Sequence, residues 1–170
     1  MTTATKTSQT KTQAINNLSA LSSYREKRLL TLDSNIFIAA LKKDETYTEQ
    51  CADVLSKVPK EFVLTEPSLV YQEVCGTLAR KISLETAMKA KKQLDLSIDP
   101  KLLTSCDKKL CSSAFTLCSK YEIYAIDALY LEVALANHAV LVSLDKKDFI
   151  DKVKNKKSPI EAYTVSEFPY

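Results

Sequence analysis

Four acidic side chains, Asp33, Glu73, Asp127 and Asp145, stand where a folded chain could gather them. Asp33 directly follows the apolar run Leu29-Leu30-Thr31-Leu32, and Asp145 closes Val140-Leu141-Val142-Ser143-Leu144. Such runs read as buried strands, and open α/β sheets bind ligands beyond the carboxyl ends of their strands. Asp127 opens a helical stretch beside Ala125 and Ile126. Glu73 falls within a helical stripe of Leu69, Val70, Val74, Thr77 and Leu78. A carboxylate on an apolar face is costly unless it meets a donor, a cation or a metal. Each acid also has a structural alternative. Asp33 and Asp145 could cap helices, Asp127 could answer a helix dipole, and Glu73 could pair with a Lys or Arg at the rim. Asn35 could equally serve as the cap, leaving Asp33 for chemistry. Asp148 could reach back as a capping partner or extend the site, and a supporting role is favoured. Gathered at one sheet edge, four carboxylates would repel one another in a low dielectric and need a divalent cation. An all-oxygen donor set suits Mg²⁺ or Mn²⁺.

The elements that would position these acids alternate along the chain. Strands are expected at residues 29–32, 62–65, 96–98, 140–144 and 160–164. Helices are expected to open at 36–41 and to cover 48–58, 67–81, 83–94, 107–121, 126–137 and 147–152, with Pro67 in a first helical turn. This alternation argues for an α/β fold, a three-layer α/β/α sandwich with a central, mostly parallel sheet. Residues 1–27, rich in Thr, Ser, Gln, Lys and Asn, read as a flexible tail before one domain at 28–170. Within that tail, residues 14–21 could form a short helix.

Composition narrows the functional classes. A length of 170 residues, 45% hydrophobic and 26% charged, suits a single globular domain with one sizeable core. A net charge of +3 permits contact with nucleic acid without requiring it. One glycine in the whole chain excludes both Gly-rich phosphate loops and a dinucleotide fingerprint. Five cysteines without a C-x-x-C pair, and a single histidine, His138, argue against structural zinc and suit reduced thiols in a cytoplasmic protein. No apolar stretch approaches the ~20 residues of a membrane span.

Four blocks in order resemble the PIN-domain family. Leu29-Leu-Thr-Leu-Asp33-Ser-Asn-Ile-Phe-Ile is similar to the opening strand and first acid of that family. Glu66-Pro-Ser-Leu-Val-Tyr-Gln-Glu73 resembles its Glu-bearing helix, and Ala125-Ile-Asp127-Ala-Leu-Tyr its third acid. Leu141-Val-Ser143-Leu-Asp145-Lys-Lys-Asp148 resembles its strand-end block, where Ser or Thr precedes the fourth acid by two. The resemblance implies metal-dependent phosphodiester cleavage, most often of RNA, by a protein that is often a homodimer. VapC-like toxins, which pair with a small antitoxin protein, are its most numerous compact members. Two departures stand out: the long tail, and the turn Asn137-His138-Ala139 where the family often uses glycine. Asn137 is the residue expected to accept the left-handed conformation there.

On this reading Asp33, Asp127 and Asp145 hold Mg²⁺ or Mn²⁺, with Glu73 coordinating directly or through water. Asn35 fixes Asp33, and Ser143 bonds water or a phosphate. The ion would activate water for in-line attack on phosphorus. Arg80, Lys81, Lys146 and Lys147 are candidates to hold the nucleic-acid backbone. His138 reads as a helix-end residue, and Tyr71, Tyr121 and Tyr124 as packing residues. Three other readings stand beside the toxin. One is an RNA-processing nuclease without an antitoxin. Another is an aspartate-based phosphoryl-transfer protein, which the absence of Asp-x-Asp at Asp33 disfavours. The third is a catalytically silent nucleic-acid-binding module, which would be expected to lack one of the acids.

Overall fold

A computed structural model of the chain describes residues 27–42 and 46–170, so the expected tail lies outside the described residues except for Lys27. Four strands form one sheet: β1 (Arg28–Leu32), β2 (Phe62–Leu64), β5 (Val140–Ser143) and β6 (Ala162–Thr164), in the order β2-β1-β5-β6. Every pair is parallel. β1 lies against β5 with Leu30 opposite Val140 and Leu32 opposite Val142. On its other side β1 matches β2 from Arg28 opposite Phe62 to Leu30 opposite Leu64. A second, two-residue pairing joins β3 (Glu66–Pro67) to β4 (Leu103–Thr104).

Seven α-helices are described: α1 (Ser34–Leu41), α2 (Thr48–Ser56), α3 (Leu69–Lys81), α4 (Leu84–Ser97), α5 (Lys108–Tyr121), α6 (Ala125–Asn137) and α7 (Asp151–Asn155). Together with the sheet they make the expected three-layer α/β/α sandwich. Their sequences explain which face each buries. α3 buries Val70, Val74 and Leu78, four residues apart, and α5 buries Leu110, Ala114, Leu117 and Tyr121. α6 is apolar on several sides and buries Ala128, Tyr130, Leu131, Val133 and Ala134, as a helix enclosed by its neighbours must. Asp107 caps α5 by accepting from the Lys109 and Leu110 amides, and Ser83 caps α4 by accepting from Thr86.

Four expectations are corrected. Residues 96–98 are not a strand: α4 continues through Ser97, with Leu96 exposed and Ile98 buried just past the helix end. Their apolar-polar-apolar alternation comes from the last turn of a helix. Pro67 belongs to β3 and α3 starts at Leu69, because the Glu66-Pro67 backbone is drawn to Leu103 and Thr104. The left-handed residue after α6 is His138, at φ 52°, while Asn137 remains helical and donates its amide to the Val133 carbonyl at 2.8 Å. The helix expected at 147–152 is a π-helical turn, Lys146–Ile150, running into α7. Among the described residues no helix is long and apolar enough to cross a membrane. None of the five cysteines is in a disulfide.

Leu131 lies fully buried on α6 within the main core cluster. Leu131→Ala is expected to destabilise the fold by about 3 kcal/mol, through lost burial and the cavity it leaves. Urea unfolding of the purified variant measures this.

Candidate functional site

Because β1 and β5 are adjacent and parallel, their carboxyl ends open on the same edge, and the residues that follow them meet there. The Asp33 amide donates to the Val142 carbonyl at 3.0 Å, extending the β1–β5 ladder by one step. Asp33 is 8% exposed. Its Oδ2 accepts from the Ser143 hydroxyl at 2.6 Å and from the Asn35 side-chain amide at 2.6 Å. Its Oδ1 faces the Asn35 backbone amide at 3.4 Å, so Asp33 is also the N-cap of α1. One side chain therefore both caps α1 and joins the two strand ends, and Asn35 is not the cap.

Asn35 ties the two strand ends together. Its Nδ2 also donates to Ser143 Oγ at 3.0 Å, and its Oδ1 accepts from the Leu144 amide at 3.1 Å. Ser143 is fully buried and its Oγ accepts from the Asp145 amide at 3.0 Å. Asp145 caps the π-helical turn, its Oδ1 accepting from the Asp148 amide at 2.8 Å. The Asp148 carboxylate pairs with Lys152 at 3.4 Å, so Asp148 supports this corner through its backbone.

α6 brings Asp127 into the same space. Its Oδ2 is buried and has no hydrogen-bond partner. Burial pushes the Asp127 carboxyl up to about 7, and the charges of Asp33, Asp145 and Glu73 push in the same direction. Asp33 is raised to about 6, chiefly by burial; the bond from Ser143 opposes this and Glu73 adds to it. Four elements thus deliver four acids that sense one another. Glu73, half-buried on the edge of the α3 stripe, accepts a 2.7 Å bond from the Tyr130 hydroxyl. Among the described residues, no three acids stand close enough to surround one ion as they are. The hydrogen bonds to Asp33 and Glu73 hold them in their present places. The donor set nonetheless suits a hard divalent cation: all oxygen, with one buried oxygen unpartnered and two carboxyls whose charge is disfavoured by burial.

Two residues of this region escaped sequence reasoning. Tyr130 lies three residues after Asp127 on α6, a spacing that puts both on one side of the helix. Burial raises its hydroxyl pKa strongly, and the neighbouring Glu73, Glu66 and Asp33 charges add to the effect. Glu66 follows a strand end, as Asp33 does, and is completely buried. Burial raises its carboxyl pKa well above the usual range, with Asp33 adding to the effect.

The basic candidates separate. Lys146 is engaged with Asp151 at 2.9 Å and Glu167 at 3.0 Å. Arg80, Lys81 and Lys147 are exposed. Tyr121 is buried and packs as expected, whereas Tyr124 is exposed.

The PIN domain family profile matches residues 30–156, three-quarters of the chain and all four acids. The chain belongs to the PIN-domain family. Solved structures share its fold at low identity. A chain of VapBC2 from Rickettsia felis, bound to a DNA fragment from their promoter, matches with TM-score 0.59 and 16% identity, over 80% of this chain and 98% of that one. A chain of a toxin–antitoxin complex from Klebsiella pneumoniae gives TM-score 0.59 and 16% identity, over 84% of this chain and 100% of that one. A VapC toxin from Mycobacterium tuberculosis, described as cleaving the sarcin-ricin loop, gives TM-score 0.55 and 13% identity, over 66% and 86%. No curated protein sequence matches the chain. PIN domains are in general divalent-metal-dependent nucleases, and this PIN domain is read as a nuclease on that footing.

Both raised aspartates bind a proton in the fold that they release when unfolded, between their ordinary pKa near 4 and the folded values of about 6 and 7. The folded state gains protons over that window, so its stability falls as pH rises from about 4 to about 7. Without divalent cations, the melting temperature is expected to be about 5 °C higher at pH 5 than at pH 8. Asp127→Asn should flatten that slope, as scanning calorimetry across pH will show.

Proposed function

We propose that this chain is a Mg²⁺- or Mn²⁺-dependent endoribonuclease that hydrolyses RNA phosphodiester bonds and is the toxin of a toxin–antitoxin pair. The observation that carries the reading is the environment of Asp127: a buried, unpartnered oxygen on a carboxyl that feels the charges of Asp33, Asp145 and Glu73. Asp33, Asp127 and Asp145 would hold the ion, with Glu73 bound directly or through water. A bound divalent cation supplies an activated water and neutralises charge developing on the phosphate.

The chain's own groups do the remaining work. Asn35 and Ser143 hold Asp33 Oδ2 across the strand ends and so fix the side from which the carboxylate can meet an ion. Tyr130 orients Glu73. Exposed Arg80, Lys81 and Lys147 are assigned to the RNA backbone, where each would neutralise a phosphate and weaken with salt. RNA is favoured by the fold neighbour described as cleaving the sarcin-ricin loop.

Wild-type protein should cleave a mixed RNA pool only with Mn²⁺ or Mg²⁺ present and should lose cleavage in chelator. Asp33→Asn and Asp127→Asn should each lose at least about a hundredfold of that activity while keeping a native circular-dichroism spectrum. Wild-type turnover in either variant would falsify the assignment.

A small antitoxin and a second copy of the chain are the partners proposed, the first because the fold neighbours come from toxin–antitoxin complexes. An apolar groove of about 590 Å³ opens between α1, α2 and α4, lined by Phe37, Ala40, Leu41, Leu55 and Leu94 among others. We assign the antitoxin to it as an amphipathic helix. Leu55→Asp should abolish co-purification with the proposed small antitoxin and leave RNA cleavage in place. An intact complex from that variant would send the partner to another surface.

A further inference from the structure

We propose that Glu66 is a positioning residue of the carboxylate site, its side chain standing in for the strand partner that β1 loses just before Asp33. The proposal rests on the nuclease reading above and adds a fifth acid with a different task.

β2 accompanies β1 only as far as Leu64, opposite Leu30. The Thr65 amide still donates to the Leu30 carbonyl at 3.0 Å, and the Thr65 carbonyl is taken by the Thr31 hydroxyl at 2.8 Å. Beyond that point the chain leaves β1, pairs Glu66 and Pro67 with Leu103 and Thr104, and enters α3 at Leu69. That departure is what allows α3 to carry Glu73 towards the site. It also strips the β2 side of β1 of a backbone acceptor at Leu32, a fully buried residue.

Glu66 makes good the loss. Its Oε1 accepts from the Leu32 amide at 2.8 Å. On the opposite side of β1, the next amide, that of Asp33, is held by the Val142 carbonyl at 3.0 Å. The two bonds grip consecutive residues from both sides, and the Asp33 carboxylate projects from that grip. Glu66 Oε2 is buried and unpartnered, and the side chain is 0% exposed, so solvent contributes nothing to this arrangement. An apolar residue in its place would leave a buried amide unsatisfied beside Asp33. The short β3 strand that carries Glu66 also packs against α6, the helix of Tyr130.

The requirement is for an acceptor at one place, and three variants separate that from charge and from bulk. Glu66→Gln keeps an oxygen where Oε1 stands. Glu66→Leu keeps the bulk without an acceptor, and Glu66→Asp draws the acceptor back by one carbon–carbon bond. Amide hydrogen exchange at Leu32 and Mn²⁺ binding by calorimetry are measured on each full-length protein, alongside RNA cleavage. Glu66→Gln is expected to match wild type in all three. Glu66→Leu and Glu66→Asp should show Leu32 exchange at least about tenfold faster and Mn²⁺ affinity at least about tenfold weaker, the scale of lost support behind a ligand. Should Glu66→Leu fail to fold, Glu66→Asp decides the matter. Unchanged exchange and binding in the folded variants, or a Gln variant as impaired as the others, would overturn the proposal. If wild type itself neither binds Mn²⁺ nor cleaves RNA, the nuclease reading fails, and the Leu32 exchange still judges the hold of Glu66 on β1.

Discussion

The parallel pairing of β1 with β5, Leu32 opposite Val142, determines where everything else in the site can be. It sets Asp33 and Ser143 within 2.6 Å of each other although 110 residues separate them. A shift of one residue in that register would turn every side chain of one strand to the other face and carry Ser143 away from Asp33. Asn35 reinforces the register from outside the ladder, bonding to groups that follow each strand. The helices then supply the remaining acids to an edge already fixed.

Assembling this edge works against the stability of the folded protein. Asp33 and Asp127 are both held where charge is disfavoured, and each is pushed further by its neighbours. Hydrogen bonds from Ser143 and Asn35 relieve part of that cost at Asp33, but Asp127 Oδ2 has no such relief. An unsatisfied polar atom in a native interior calls for an explanation, and a positively charged ligand provides one. Away from this edge, Asp107 and Ser83 cap α5 and α4 with their side chains, and the sheet ladders run unbroken between their strands.

Much of this was legible in the sequence because the signals were local. Apolar runs ending in an acid mark β1 and β5, and a 3.6-residue stripe marks α3, within which Glu73 reads as central although the fold leaves it half-buried. What stayed hidden depended on partners far along the chain. Glu66 follows a strand just as Asp33 does, yet only the divergence of β2 from β1 shows what its carboxyl touches. Tyr130 reads as one more apolar residue in a buried helix until α3 is packed against it. The apparent strand at 96–98 misled because a helix's last turn placed Leu96 in solvent and left Ile98 to the core. At the end of α6, the left-handed residue is His138 although Asn137 is the better intrinsic candidate, because the Asn137 side chain is spent on the Val133 carbonyl.

α6 carries Asp127 directly and governs Glu73 through the Tyr130 hydroxyl, with one helical turn between the two attachment points. The helix therefore behaves as a stiff lever: sliding or rolling it moves two acids in concert, and neither can be retuned without the other. Its handle is the long contact with α5, through which Ala114, Leu117 and Tyr121 reach the core. Residues on that seam thus share in the placement of both acids.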